Sequence, residues 1–171
     1  ILHTLHFVFL LFFTEQKCFC IIFALNYSHR QQMADFDINI LGCGSALPTT
    51  RHLATSQLVD LRDKLYMIDC GEGAQLQFRK SHLKFSRLNH IFISHLHGDH
   101  CFGLLGLIST LNLLGRTAEL HIHSPKGLET LLTPMLDFFN RQMTYKVLFH
   151  EFDTKEPMLI YEDRSLTVTT I

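Results

Sequence analysis

Six consecutive residues, His95-Leu96-His97-Gly98-Asp99-His100, constrain this chain more than any other stretch. Three imidazoles and a carboxylate packed into one turn are rarely core residues, because each would need a partner of its own if buried. The residues before them, His90-Ile91-Phe92-Ile93-Ser94, predict a short buried strand. Those after them, Phe102–Leu114, predict an apolar helix ended by Gly115. The run therefore falls on a strand-to-helix loop, a common place for ligands in a mixed α/β layer structure.

His95 and His97 stand one residue apart and can turn towards one point. Gly98 allows a tight backbone turn, so Asp99 and His100 can face a neighbouring point. This grouping suits two metal ions side by side, each needing more ligands from elsewhere. Imidazole and carboxylate without a required thiolate favour Zn²⁺, with Mn²⁺ or Fe as alternatives. Two ions about 3.5–4 Å apart clamp a phosphate or carbonyl, and a metal lowers the pKa of its water towards about 7. Asp99 can accept or pass on the proton if it lies within hydrogen-bond reach. A structural metal closes with four ligands, and four residues this crowded do not easily bind one tetrahedral ion.

The length of 171 residues suggests one domain, and 47% apolar residues suffice for a sizeable core. A formal net charge of −1 gives no sign of a nucleic-acid partner, although a local basic patch would suffice for one. Five scattered cysteines, Cys18, Cys20, Cys43, Cys70 and Cys101, make no disulfide framework and fit a reducing cytoplasm.

Residues 1–32 differ in composition from the rest. Neither of their apolar blocks, Leu2–Phe13 and Cys18–Leu25, reaches the roughly 20 residues of a membrane helix. No basic residue precedes the first block as a signal peptide requires. The first methionine is Met33, and a well-patterned strand follows it. Residues 1–32 are therefore expected to be upstream, non-native sequence, with a targeting leader as the rival reading. Residues 33–171 form the domain, with no membrane contact, and both chain ends have the character of cuts.

Asp37–Leu41 alternates as a half-buried strand and enters the glycine loop Gly42-Cys43-Gly44-Ser45-Ala46-Leu47-Pro48, whose backbone could approach a ligand. Thr55–Leu61 and Leu65–Asp69 predict a hairpin turning at Arg62-Asp63-Lys64. A second glycine loop, Asp69-Cys70-Gly71-Glu72-Gly73, precedes a helix over Ala74–Lys80. Beyond the His/Asp run, strands are predicted at Glu119–His123, Tyr145–Phe152, Met158–Tyr161 and Leu166–Ile171, with a helix over Leu128–Phe139 and a turn at Thr154–Pro157. Hairpins mixed with strand–helix–strand units give an α/β (α+β) domain: a mixed sheet with helices on its outer face and a second sheet to follow.

His-x-His-x-Asp-His after an apolar strand resembles the signature of the metallo-β-lactamase superfamily, an αββα sandwich. Residues 41–48 with Arg51 and Ser56, residues 69–77, and Ser124-Pro125-Lys126-Gly127-Leu128 are similar, in order, to three loops of the ribonuclease Z family, the tRNA 3′-processing endonucleases. Together they cover most of residues 36–171, so the resemblance is to the N-terminal part of that fold. It implies two zinc ions per complete subunit, with His95 and His97 on the first and Asp99 and His100 on the second. Asp99 would double as proton acceptor, and Asp69 would stand behind a ligand and orient it. Asp69 could equally cap the following helix. The implied substrate is precursor tRNA, cut to leave a 3′-hydroxyl, in a homodimeric enzyme. Other hydrolases of the fold, acting on sulfate esters, cyclic nucleotides or thioesters, and a non-catalytic truncated product are the alternatives.

The family also uses a further His, a bridging Asp and a last His, and no matching motif lies between His100 and Ile171. The family's tRNA-gripping arm is absent as well, so these residues alone are expected to carry half a site and to cleave nothing. His121-x-His123 shares one strand face but lacks a following Asp-His. Arg79, Lys80, Lys84 and Arg87, with His82 and His90, read either as an RNA contact or as a solvated face. Cys43, Cys70 and Cys101 are expected to be small buried residues. Lys126 could touch phosphate or simply mark a helix start.

Overall fold

The computed structural model describes residues 3–8, 21–27, 36–47, 49–153 and 156–170. Cys18 and Cys20, the start at Met33, Pro48 and part of the turn at Thr154–Pro157 lie outside them. Two sheets carry the fold. The larger runs β3 (Phe36–Gly42), β4 (Ser56–Leu61), β5 (Lys64–Ile68), β6 (Leu88–Phe92), β7 (Leu120–Pro125) and β8 (Val147–Phe152), in that order. Its first three strands pair antiparallel and its last three add on in parallel. The smaller sheet has the order β1 (His3–Val8), β2 (Ile21–Tyr27), β10 (Leu166–Thr170), β9 (Leu159–Glu162), all antiparallel. Two segments of the first thirty-two residues are thus strands of this sheet, β2 pairing with β10 and β1 with β2.

The period-2 alternation of strands decides which side chain faces where. One face of the large sheet, with Leu58, Leu65, Met67, Ile91, Leu120 and Ile122, packs under the helices α1 (Ala74–Lys80), α3 (Leu104–Leu113) and α4 (Leu128–Phe139). The other face, with Val59, Leu61, Tyr66, Ile68 and Phe92, meets Leu166 and Val168 of the small sheet. Both layers of the expected architecture are present. A half-buried carboxylate pins the two sheets together: Asp163 pairs with Lys64 at 2.5 Å and accepts hydrogen bonds from the hydroxyls of Tyr66 and Tyr161. Burial alone would raise its pKa, but these bonds and the backbone N–H groups of Leu166 and Ser165 hold it below the usual carboxylate range.

Two backbone crossings fix the position of the His/Asp run. Cys70 N–H donates to His100 O, and Gly103 N–H donates back to Cys70 O, both at 2.8 Å. The second glycine loop is thereby stitched to the turn that follows His97. The approach is close enough that a Cβ on Gly103 would overlap the carbonyl of Gly71, and one on Gly71 would overlap that of Asp99. In the first glycine loop, Gly42 and Gly44 make similar room for Leu53 and Ala54. Those glycines serve the approach of the chain's own backbone, where the sequence suggested approach to a ligand.

The second face also carries a ladder that the sequence did not reveal. His90, His121, His123 and His150 come from three adjacent strands and stack with ring planes 16–29° apart in most pairs. His90 Nδ1 lies 3.2 Å from His123 Nε2, and His121 Nδ1 lies 2.9 Å from His150 Nε2. Burial, followed by the neighbouring imidazoles, pushes His90 down to about 4 and His123 down to about 3.

Two outcomes follow. A histidine whose folded pKa lies below its unfolded value binds fewer protons when folded, so stability rises with pH between the two values. The chain is expected to lose stability as pH falls from about 6.5 towards 4. Urea denaturation at a series of pH values should show that slope reduced in a His90→Gln/His123→Asn double variant; an unchanged slope would remove the ladder as its origin. Gly103→Ala is expected to cost about 1–3 kcal/mol by overpacking against fixed backbone, read as a lower urea midpoint. A midpoint equal to that of the parent would show that the crossing gives way freely.

Candidate metal centre

β6 ends at Phe92, and Ile93 continues its line by donating to His123 O at 2.8 Å. Ser94 and His95 follow at the strand's end. His97 then takes an extended backbone (φ −74, ψ 147) and opens a short helix, α2 (Gly98–Cys101). The helix therefore begins inside the six-residue run, earlier than the Phe102 start read from the sequence. Asp99 and His100 sit on its single turn, closed by His100 N–H to His97 O at 3.0 Å. Gly98 fits because a Cβ there would overlap the ring of Phe102. A break at Phe102-Gly103 separates α2 from α3.

The turn brings the predicted side chains together in overlapping pairs. The His95 and His97 rings lie 4.7 Å apart between centroids, and the His95 and His100 rings 3.7 Å. Asp99 Oδ2 stands 3.5 Å from His100 Nε2. His97 is exposed, His95 and Asp99 are half-buried, and His100 is buried. Burial and then the adjacent His100 lower the pKa of His95. That favours the neutral imidazole, the form that ligates a metal. Among the described residues, no three or more His, Cys, Asp or Glu side chains converge on a point able to hold an ion. The donor set of imidazoles and a carboxylate suits zinc in kind, but as ligand pairs rather than a closed cage.

Asp69 stands behind this turn and is fully buried. Its backbone takes the left-handed region (φ 56), which Asp tolerates better than most residues. Its carboxylate accepts from Ser94 N–H at 2.8 Å and from His100 Nδ1 at 2.7 Å. Ser94 Oγ lies 2.9 and 3.0 Å from the two carboxylate oxygens. Of the two roles open for Asp69, the structure shows the contact to a histidine of the run. It does not cap α1, whose N-cap is Gly73 with no side-chain hydrogen bond. Ser94 is the residue that sequence reading missed. The available signal was a polar residue closing an otherwise apolar strand, immediately before the first His.

Other candidates take structural places. His121 and His123 belong to the histidine ladder and join no metal-holding group among the described residues. Arg87 pairs with Asp60 and donates to Asp63 O, and His90 lies in the ladder, so the basic stretch is not one solvated strip. Arg79 and Lys80 are exposed in the last turn of α1. The start of α4 already holds an anion of the chain, since Gly127 N–H and Glu129 N–H both donate to Glu151 Oε1 at 2.9 Å. Lys126 points to Asp153 at 3.5 Å. Cys43 is exposed, contrary to the expectation of burial, because the glycine loop turns it outward. Cys70 is buried, and burial followed by the charge of Asp69 holds its thiol above the usual range. The same two effects, with Asp99, push Cys101 up to about 11.

The family model described as Anti-Pycsar protein Apyc1 matches residues 36–136, more than half of the chain. A protein of Bacteroides fragilis named ribonuclease Z is 78% identical over 139 residues, 81% of this chain and 46% of that protein. The chain thus spans about half the length of the curated relatives it matches. Human tRNase Z, short form, superposes with a TM-score of 0.68 at 27% identity, covering 78% of this chain and 64% of that one. The metallo-β-lactamase fold protein YhfI of Bacillus subtilis, 18% identical with a TM-score of 0.50, covers 71% of this chain and 47% of its own, and shares the fold. The chain therefore belongs to the family that this model describes, has the fold of the metallo-β-lactamase-fold protein YhfI, and is similar to curated proteins named ribonuclease Z.

Proposed function

We propose that the protein is a zinc-dependent endoribonuclease that removes the 3′ trailer from precursor tRNA. The 78% identity to a protein named ribonuclease Z carries this reading, because any 139-residue stretch of this chain includes the whole His/Asp run. His95 and His97 would hold one zinc, and Asp99 and His100 the other. Bound zinc supplies a Lewis acid for the phosphate and water of lowered pKa. Asp99 accepts the proton of the attacking water, and Asp69 keeps His100 in place through Nδ1. Attack at phosphorus breaks the bond to the 3′ oxygen, leaving a 3′-hydroxyl on the tRNA and a 5′-phosphate on the trailer.

The remaining ligands, a His, a bridging Asp and a last His, are expected in the part of the relatives' length that this chain does not span. The cytoplasm is the expected setting, given free Cys43, Cys70 and Cys101. Among the described residues no helix is long and apolar enough to cross a membrane. A homodimer is expected through the α1 and α3 side, where Leu76, Phe102 and Leu113 are exposed at 54%, 74% and 87%.

The complete protein is expected to trim a precursor tRNA bearing a 3′ trailer, and Asp99→Ala to slow cleavage by about 10²–10⁴-fold. Equal rates in the variant would defeat the role of Asp99. Hydrolysis of a cyclic nucleotide, sulfate ester or thioester instead of the tRNA would favour another hydrolase of this fold. Residues 33–171 alone are expected to bind zinc weakly and to cut nothing; tight stoichiometric zinc with nuclease activity would refute the half-site. Leu113→Glu is expected to shift the complete protein from dimer to monomer in light scattering, and an unaltered mass would place the interface elsewhere.

A further inference from the structure

Ser94 stands between Asp69 and two of the proposed ligands, His95 and His100. Its hydroxyl oxygen lies 2.9 and 3.0 Å from the Asp69 carboxylate oxygens, 3.1 Å from His95 Nδ1 and 3.2 Å from His100 Nδ1. The side chain is buried, so water cannot substitute for any of these partners. Proton positions here follow from counting donors and acceptors.

The hydroxyl has one hydrogen to give. A buried ionised carboxylate accepts only, and as a charged group it competes for that hydrogen better than a neutral ring nitrogen does. The Ser94 hydroxyl therefore donates to Asp69 and has only lone pairs left for the rings. His95 Nδ1 must then carry a hydrogen and donate it to Ser94 Oγ. His100 Nδ1 must carry one too, donated to Asp69 Oδ2 at 2.7 Å. In the neutral form of either ring, the nitrogen left without a hydrogen is Nε2.

We propose that Ser94 is a positioning residue that relays the charge of Asp69 to His95, fixing the Nδ1–H tautomer of that ring as Asp69 does directly for His100. One carboxylate and one hydroxyl thus set a ligand of each pair, His95 for the first ion and His100 for the second. The proposal rests on the metal-ligand reading of the run, but its proton arrangement is a property of the protein itself.

The test is long-range ¹H–¹⁵N correlation spectroscopy of the chain labelled with ¹⁵N-histidine, near pH 7.5. The parent is expected to show Nδ1–H at both His95 and His100. Ser94→Ala should leave His100 as it is and turn His95 into a mixture of tautomers, while Ser94→Thr, which keeps the hydroxyl, should restore His95. If Ser94→Thr does not fold, the contrast between the two rings within Ser94→Ala decides alone. A His95 tautomer unchanged in Ser94→Ala, or Nε2–H in the parent, would overturn the proposal. A competition titration with a chromophoric chelator on the complete protein should show zinc held about 10-fold more weakly in Ser94→Ala. If the parent binds no zinc, the metal reading fails while the tautomer result stands; if the tautomers do not respond, the relay fails while zinc binding stands.

Discussion

The buried carboxylate of Asp69 is the interaction around which the candidate site is arranged. Removing a carboxylate from water costs several kcal/mol even after relaxation, and only well-placed donors offset that. Asp69 has them from three directions: the Ser94 amide, the Ser94 hydroxyl and the His100 ring. The donors come from the end of β6 and from α2, while the acceptor stands at the end of β5. The bond set therefore joins two neighbouring strand ends to the turn that carries the His/Asp run. The left-handed backbone at Asp69, worth on the order of 1–3 kcal/mol of strain, places the carboxylate there and is offset by charge-assisted hydrogen bonds.

Backbone contacts repeat the same connection independently. Cys70 follows Asp69 and exchanges hydrogen bonds with His100 and Gly103, on either side of the α2–α3 break. A loop tied through both a side chain and its own backbone has little freedom to swing. This explains why glycines flank the run: Gly71 and Gly103 pass each other closer than any side chain would permit. Their identity is set by backbone approach, with no need of a ligand.

What could be read from the sequence was local. The helices over Ala74–Lys80 and Leu128–Phe139 have the bounds that their periodicity and flanking glycines imply. The hairpin at Arg62-Asp63 follows from its polar turn, where both residues have positive φ. The early helical turn at Gly98–Cys101 was not legible, because Gly, Asp and His are weak helix formers and the turn is held from outside, by Cys70. The histidine ladder was invisible for a related reason. His90, His121 and His150 lie about thirty residues apart from one to the next and meet only through the parallel register of β6, β7 and β8. Ser94 and Asp69 are twenty-five residues apart and meet in the same way. In the candidate site, sequence spacing identifies the ligand-type residues, and pairing register identifies what stands behind them.

This division has a physical consequence for how the site can work. In small zinc domains the metal's binding energy is itself folding energy, and the ligands are unordered without it. Here each bond that orients His95 and His100 runs to a protein atom, and those atoms lie in a sheet end and a buried loop. The rings' order derives from the sheet and from the buried charge. An ion arriving at Nε2 would meet rings already limited in direction, so little ordering entropy would oppose its binding. On the proposed metal reading, the number of ligands rather than their disorder would limit affinity, so a chain supplying ligand pairs could be fully folded and still hold an ion poorly. Completing such a coordination would require additional side chains brought to a fixed turn, and would leave the turn itself unchanged.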